Sequence, residues 1–173
     1  WYILNAAAPG KNLAFKRDDI AKQQMPVFLT LWNVYSFFVS YANLSKPDLS
    51  RKLALAARPE IDRWLEAKRN RLIVDVTAAL EDYDAAEATR LVAEFVDIDL
   101  SNWYVRRNRR RFWGHVDEGD AESAFIALYE TLLTTVKLMA PMAPFFAEAL
   151  YRNLAAHQPG GALSRIDGEY TTQ

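Results

Sequence analysis

The spacing of hydrophobic residues predicts amphipathic helices over most of the chain. Apolar residues recur at intervals of three and four, which is the period of one face of an α-helix. The first predicted helix covers about residues 18–44, and Pro26 should either kink it or mark a second start. Its apolar face consists of Phe28, Leu31, Trp32, Tyr35, Phe38 and Val39. Residues 45–58 contain Pro47 and Ser50 and are expected to form a loop with a short helix.

Two further helices are predicted in the middle of the chain. The second helix should start near Pro59, because proline is well tolerated at the first helical position. Its apolar face is Ile61, Leu65, Leu72, Val76, Leu80 and Tyr83. Asp84 and Glu87 resemble a capping box that opens a third helix. That helix carries Leu91, Val92, Phe95 and Val96, and the polar residues 97–101 should bend it before Trp103.

The last two predicted helices follow a polar break at residues 114–119. Asp120 is expected to cap the fourth helix, and Pro141 should end it. Its apolar face is Phe125, Leu128, Tyr129, Leu132, Val136 and Met139. Pro144 should start a fifth helix, and residues 157–161 should end it. The apolar run at residues 1–8 fits a strand or a buried helix end equally well. The predicted fold is an all-α antiparallel bundle of four to five helices.

Composition limits the kind of protein this can be. The 173 residues suffice for one domain with a core, and the formal net charge of −1 predicts no polyanion partner from the chain as a whole. The absence of cysteine excludes disulfides and thiolate metal sites within these residues. No apolar run approaches the ~18 residues of a membrane helix, and no signal peptide is apparent. Because the chain opens on Trp1, we expect it to be part of a longer protein.

A search for catalytic chemistry finds almost nothing. His115 and His157 are the only histidines, and neither has a partner at a metal-ligand spacing. The sequence contains no Glu-x-x-His pair, no glycine-rich phosphate loop and no nucleophile elbow. Isolated histidines are most often solvated or partly buried polar residues. We therefore predict no catalytic residue, no metal site and no cofactor in this chain.

One basic and aromatic cluster stands out between Trp103 and Trp113. It contains Arg106, Arg107, Arg109, Arg110 and Arg111, and no acidic residue occurs at positions 102–116. On a helix, Arg106, Arg109, Arg110 and Trp113 share one side. Guanidinium groups bind phosphates and aromatic rings stack on unpaired bases, so this pattern favours single-stranded RNA. The alternative is that Trp103 and Phe112 belong to the core. In this alternative some of the arginines would also pair with Asp97, Asp99, Asp117 or Glu118.

These residues resemble the isoleucyl-tRNA synthetase family. The strongest match is LSNWYVRR at residues 100–107 with RRRFW at 109–113. Weaker matches occur in family order at residues 1–4, 31–39, 62–64, 137–141, 144–145 and 147–148. Residues 65–68 and 149 depart from the family's usual pattern, at positions that affect surface contacts and not the fold. The colinear resemblance covers about residues 1–154.

The resemblance implies the helical anticodon-binding domain of a class I aminoacyl-tRNA synthetase. Its partners would be the anticodon arm of isoleucine tRNA and the catalytic domain of the same parent chain, in the cytoplasm and without a membrane. Residues 1–16 would connect to the catalytic domain, 17–157 would form the bundle and 158–173 a C-terminal tail. The parent enzyme would use ATP and Mg²⁺. Both nucleotide signatures of the family are absent here, so this fragment is expected to be catalytically inactive.

The expected RNA contacts combine the cluster with one residue of the first helix. They are Asn33, Asn102, Trp103, Tyr104, Arg106, Arg107, Arg109, Arg110, Arg111 and Trp113. Asn33 matches an asparagine of the related methionyl enzymes that reads the anticodon, and its alternative role is packing inside the bundle. The competing interpretations of the whole chain are a valyl, leucyl or methionyl relative and a helical scaffold that binds an acidic protein. A metal or cofactor bundle is disfavoured by the missing ligands.

Overall fold

The computed structural model describes residues 1–6, 18, 25–114 and 116–155, and over these ranges the chain is helical with no strand. The helices are α1 (Tyr2–Ala6), α2 (Met25–Ser45), α3 (Glu60–Glu81), α4 (Ala85–Glu94), a π-helix (Phe95–Val105), α5 (Arg106–Phe112), α6 (Glu118–Met139) and α7 (Pro144–Ala155). This confirms the predicted all-α bundle. None of the described helices is both long and apolar enough to cross a bilayer. The predicted end of the last helix at residues 157–161 lies outside the described residues, as do His115 and His157.

The prolines and the loop fall where the sequence predicts. Pro26 is the second residue of α2 as described, and residues 19–24, which precede the helix, lie outside the described residues. Residues 46–58, after the end of α2 at Ser45, form a loop with one short 3₁₀ turn, Leu55–Ala57. Pro59 immediately precedes α3, and Pro144 is the first residue of α7.

The predicted apolar face of α3 is correct except at its end. Leu65, Leu72 and Val76 are buried, but Tyr83 is 89% exposed and lies beyond the helix with a φ of 58°. The Tyr83 N–H donates to the Leu80 carbonyl, and the next residue's N–H donates to the carbonyl of Ala79. These two bonds form a Schellman cap, in which the residue after the helix adopts the left-handed conformation. The hydrophobic spacing placed Tyr83 in the helix, because a spacing pattern does not reveal a left-handed cap residue.

Replacing Tyr83 with glycine should stabilise the protein by about 0.5–1 kcal/mol. The left-handed conformation costs a residue with a Cβ roughly 1–2 kcal/mol, and the greater freedom of glycine in the unfolded chain offsets about half of this. The exposed tyrosine ring contributes little packing. Urea unfolding of Tyr83→Gly beside Tyr83→Ala measures the effect, since alanine keeps the strain. Equal stabilities for the two variants would contradict the assigned conformation.

Helix α4 begins with half of the predicted capping box. The Asp84 carboxylate accepts the Glu87 N–H at 2.9 Å, as an N-cap should. The Glu87 side chain instead binds Arg90, with distances of 2.6 and 2.7 Å. The Asp84 N–H is already bonded to the Ala79 carbonyl, so the reciprocal half of the box has no donor to satisfy.

The polar residues 97–101, where the sequence predicts a bend, do not end the helix that precedes them. The chain continues from α4 through the π-helix into α5 without a break. Within the π-helix, Leu100 follows Phe95 by five positions and Tyr104 follows Leu100 by four, and all three are buried. A π-helix closes its hydrogen bonds over five residues, so this wider spacing still points one face at the core. The polar residues between them lie on the outer side and do not interrupt the helix.

Asp120 does not cap the fourth predicted helix. That helix, α6, already begins at Glu118, after a turn in which Gly114 has a φ of 76°. Asp120 therefore lies in its first turn and binds Arg111. Helix α6 is the centre of the bundle and packs against α2, α3, α4, α5 and α7.

Truncating Leu132 should test the core face of α6. This side chain is fully buried, so Leu132→Ala should lower the free energy of unfolding by about 2–5 kcal/mol. The matched control is Leu44→Ala, because Leu44 is mostly exposed and its truncation should change stability by less than ~0.5 kcal/mol. Denaturant titration of both variants measures the difference. Similar losses in the two would mean that the assigned core is wrong.

Candidate nucleic-acid interface

The outer side of α5 presents a compact basic surface. Arg106, Arg109, Arg110 and Trp113 are exposed and spaced at three and four, while Phe112 on the opposite side is buried. Among the described residues, none of these three arginines forms an ion pair. The predicted pairing with nearby acids does not occur for them. We refer to these four exposed residues as the α5 face.

A second set of side chains, in which Trp64 is half-buried and the others are exposed, joins α3 to the π-helix. The indole centroids of Trp64 and Trp103 lie 6.0 Å apart, and the guanidinium carbon of Arg107 lies 3.8 Å from the Trp103 ring centroid. The Lys68 ammonium is 5.6 Å from the Trp64 ring centroid. Trp103 is 42% exposed, so it does not belong to the core. The sequence predicted Trp103 and Arg107 but not Trp64 and Lys68, which only the pairing of two distant helices brings to this surface.

Asn33 and Asn102 occupy different surroundings. Asn33 is exposed on α2, one turn before Phe37, whose ring centroid lies 5.2 Å from that of Phe112 on α5. It is therefore outside the bundle interior and on the edge of α2 that approaches α5. Asn102 is exposed and donates from its amide to the Asp97 carboxylate at 3.1 Å. Its side chain is engaged within its own helix.

Arg111 does not contribute to the exposed basic surface. Only 8% of it is exposed. Its guanidinium donates to both carboxylate oxygens of Asp62, at 2.7 and 2.8 Å, and to those of Asp120, at 2.7 and 3.0 Å. A guanidinium held between two carboxylates in the interior has no free donor pair for a phosphate. Arg111 is therefore not available as an RNA contact, contrary to the expectation from the sequence.

Tyr104 belongs to the same buried network. It is fully buried, and its hydroxyl donates to the Asp62 carboxylate at 2.7 Å. The Ser123 hydroxyl also donates to Asp62, at 2.6 Å, so this carboxylate accepts bonds from the π-helix, α5 and α6. The side chain of Asp62 is itself fully buried in α3. Tyr104 thus stabilises the packing of helices. Contrary to the expectation from the sequence, it is buried and does not face RNA.

The buried network fixes the charges of its members. Burial raises the pKa of the Tyr104 hydroxyl well above its usual value, and the nearby charge of Asp62 raises it further. Burial alone would lower the pKa of Arg111, but its hydrogen bonds to Asp62 and Asp120 outweigh burial and raise it. Tyr104 is therefore a neutral donor and Arg111 a permanent cation over the physiological pH range. The network is an ion cluster that ties four helices together, namely α3, the π-helix, α5 and α6.

The described residues provide no metal-binding cluster of histidine, cysteine, aspartate or glutamate. What they arrange on the surface is a face of unpaired guanidinium groups beside exposed indoles. This arrangement can hold phosphates by charge-assisted hydrogen bonds and can stack on flat ring systems.

Comparison with known proteins agrees with this geometry. The sequence profile of the family described as the anticodon-binding domain of tRNA ligase matches residues 62–169. This match passes beyond residue 154, where the resemblance seen in the sequence ended. It includes the π-helix and α5, and with them the exposed Trp103 and Trp113 and the exposed arginines.

Individual relatives cover nearly the whole chain. The isoleucine–tRNA ligase of Deinococcus radiodurans is 51% identical over 91% of the chain. That of Thermus thermophilus is 50% identical over 89%, and that of Dehalococcoides mccartyi is 43% identical over 96%. The chain spans only 14%, 15% and 16%, respectively, of the lengths of these relatives. It belongs to the family of anticodon-binding domains of tRNA ligases.

Proposed function

We propose that this chain binds the anticodon arm of isoleucine tRNA for a longer isoleucine–tRNA ligase. The observation that carries the proposal is the α5 face, where three arginines project to solvent without an acidic partner among the described residues. The chain as a whole has a net charge of −1, so attraction to a polyanion must arise from this local surface.

The chemistry of the α5 face suits an RNA loop. Guanidinium groups bind phosphate oxygens through paired hydrogen bonds, and the release of counterions from the RNA favours such contacts. Trp113 is 46% exposed at the end of the same surface, where a ring can stack on an unpaired base. Asn33, on the neighbouring edge of α2, offers an amide that can read a base edge. These features together favour an anticodon loop as the ligand rather than a double-stranded RNA, because the bases of a duplex are already stacked on each other.

Isoleucine tRNA is the RNA supported by the relatives, since the three compared above are isoleucine–tRNA ligases. The longer ligase would act in the cytoplasm and attach isoleucine to tRNA with ATP and Mg²⁺. The catalytic domain outside this chain would bind both, because the described residues offer no acidic cluster for the ion. The role of this domain is then to position the tRNA.

Because the catalytic chemistry lies elsewhere, the isolated chain should not activate isoleucine. We expect no isoleucine-dependent exchange of pyrophosphate into ATP above a buffer control. An inactive chain that still binds tRNA would match the proposal. Exchange that co-purifies with the chain through several columns would contradict it.

A binding titration with two RNAs tests the proposal. The full chain is titrated with isoleucine tRNA and with the same tRNA carrying an unrelated anticodon loop. We expect at least about tenfold weaker binding of the altered tRNA, the cost of about one lost base contact. Equal binding of both tRNAs would contradict recognition of the anticodon, and binding of neither would contradict the proposed function.

A further inference from the structure

We propose that Trp64, Trp103 and Arg107 form a stacking platform for one unpaired base, separate in role from the phosphate-binding arginines of the α5 face. The inference rests on the proposed function and adds a residue of α3 to the binding site. In this proposal Arg107 stacks on a base, although the charge of an arginine alone would suggest that it binds a phosphate.

Arg107 differs from the other exposed arginines in how it is held. Its guanidinium carbon lies 3.8 Å from the centroid of the Trp103 ring, close enough for face-to-face contact. Arg107 is exposed and forms no ion pair with any described residue, so the guanidinium surface away from the indole faces solvent. A flat cation in this position is a preformed surface for a nucleobase, because bases stack on guanidinium planes as they do on aromatic rings.

Trp103 is in turn held in place from α3. The centroid of the Trp64 ring lies 6.0 Å from that of Trp103, with an angle of 45° between the rings. One turn further along α3, the Lys68 ammonium bonds the Asp99 carboxylate at 3.2 Å. Asp99 lies one turn before Trp103. The Trp64–Trp103 and Lys68–Asp99 contacts are therefore neighbouring contacts, one turn apart, between antiparallel helices. They fix the position of the Trp103 ring and hence of the guanidinium above it.

This arrangement assigns phosphate binding and base stacking to different residues. Lys68 is paired with the Asp99 carboxylate, whereas the arginines of the α5 face have no acidic partner among the described residues. Arg106, Arg109 and Arg110 form no ion pair with a described residue, and their long side chains can follow the RNA backbone. Arg107, held against the Trp103 indole, presents its plane before RNA arrives and loses little freedom on binding. Trp64 is a positioning residue, since it acts through Trp103.

The test uses the full chain and an RNA hairpin with the anticodon stem and loop of isoleucine tRNA. Arg107→Lys keeps the charge but removes the plane, so affinity should fall about tenfold while the slope of affinity against salt concentration stays unchanged. Trp64→Leu should show the same pattern, and Trp64→Phe should restore part of the affinity. Arg90→Lys, on the exposed side of α4, is the matched control and should bind as the unsubstituted chain does.

Hairpins with one abasic nucleotide at each loop position in turn identify the stacked base. At one position, the loss of the base should weaken binding to the unsubstituted chain about tenfold but should not weaken binding to Arg107→Lys or Trp64→Leu any further. A merely structural role for Trp64 would leave its variant as sensitive to abasic sites as the unsubstituted chain. That result, or a lower salt slope for Arg107→Lys, would overturn the platform. Failure of the unsubstituted chain to bind any hairpin would instead count against the proposed function.

Discussion

Asp62→Ala is expected to lower the free energy of unfolding by about 3–5 kcal/mol, or to prevent folding. The change removes the buried carboxylate that accepts two hydrogen bonds from Arg111 and one from Tyr104. The guanidinium then stays charged in the interior with only Asp120 as an acidic partner, which is the costly way to break a buried ion pair. Urea unfolding followed by circular dichroism measures the loss.

A second variant separates the lost ion pair from lost packing. Asp62→Leu combined with Arg111→Met removes both charges together and should recover much of the stability, since paired removal leaves no isolated buried charge. Asp62→Ala within ~1 kcal/mol of the unsubstituted chain would contradict the buried network. Equal losses in the single and double variants would show that packing alone accounts for the effect.

The second large effect concerns the α5 face. Replacing Arg106 and Arg109 together with alanine should weaken tRNA binding strongly and should lower the slope of log affinity against log salt by about 1.4, from ~0.7 for each lost single-strand phosphate contact. Trp113→Ala should reduce affinity by about 1–3 kcal/mol with little change in slope, because stacking releases no ions. Titrations at four or more salt concentrations give both quantities.

The matched control removes the same charge from other surfaces. Arg90 and Arg152 are exposed on α4 and α7 and pair with acids of their own helices. Replacing both with alanine should leave the slope nearly unchanged. All of these variants should keep their helicity, because exposed arginines contribute little to folding. If both double variants change binding equally, net charge determines affinity and the α5 face has no special role.

Much of the fold could be predicted because it depends on local signals. Periodicity assigned the helices, and Pro59 and Pro144 marked two starts. The features that periodicity did not predict have local physical causes of another kind. Tyr83 takes a left-handed cap position, and residues 97–101 continue a helix whose π hydrogen bonding shifts the apolar spacing. A hydrophobic spacing of three to four residues predicts neither the left-handed cap nor the π-helix.

The exposed surface of the candidate site was predictable only in the part that a single helix determines. Spacing placed Arg106, Arg109 and Arg110 on one side, and the structure finds that side exposed. Arg111 looked equivalent in sequence, but its partner Asp62 lies 49 residues earlier, and that pairing requires the tertiary fold. The contact of Trp64 with Trp103 likewise depends on how α3 crosses the π-helix.

Photo-cross-linking of isoleucine tRNA to the full chain, followed by mapping of the linked peptides and nucleotides, tests the location of the RNA most directly. The account predicts cross-links between nucleotides of the anticodon loop and residues 102–113, where Trp103 and Trp113 lie exposed. A sample at high salt should lose these cross-links, since the contacts depend on phosphate binding. Cross-links confined to α7 or to the exposed end of α4, or to nucleotides outside the anticodon arm, would contradict the assignment of this surface.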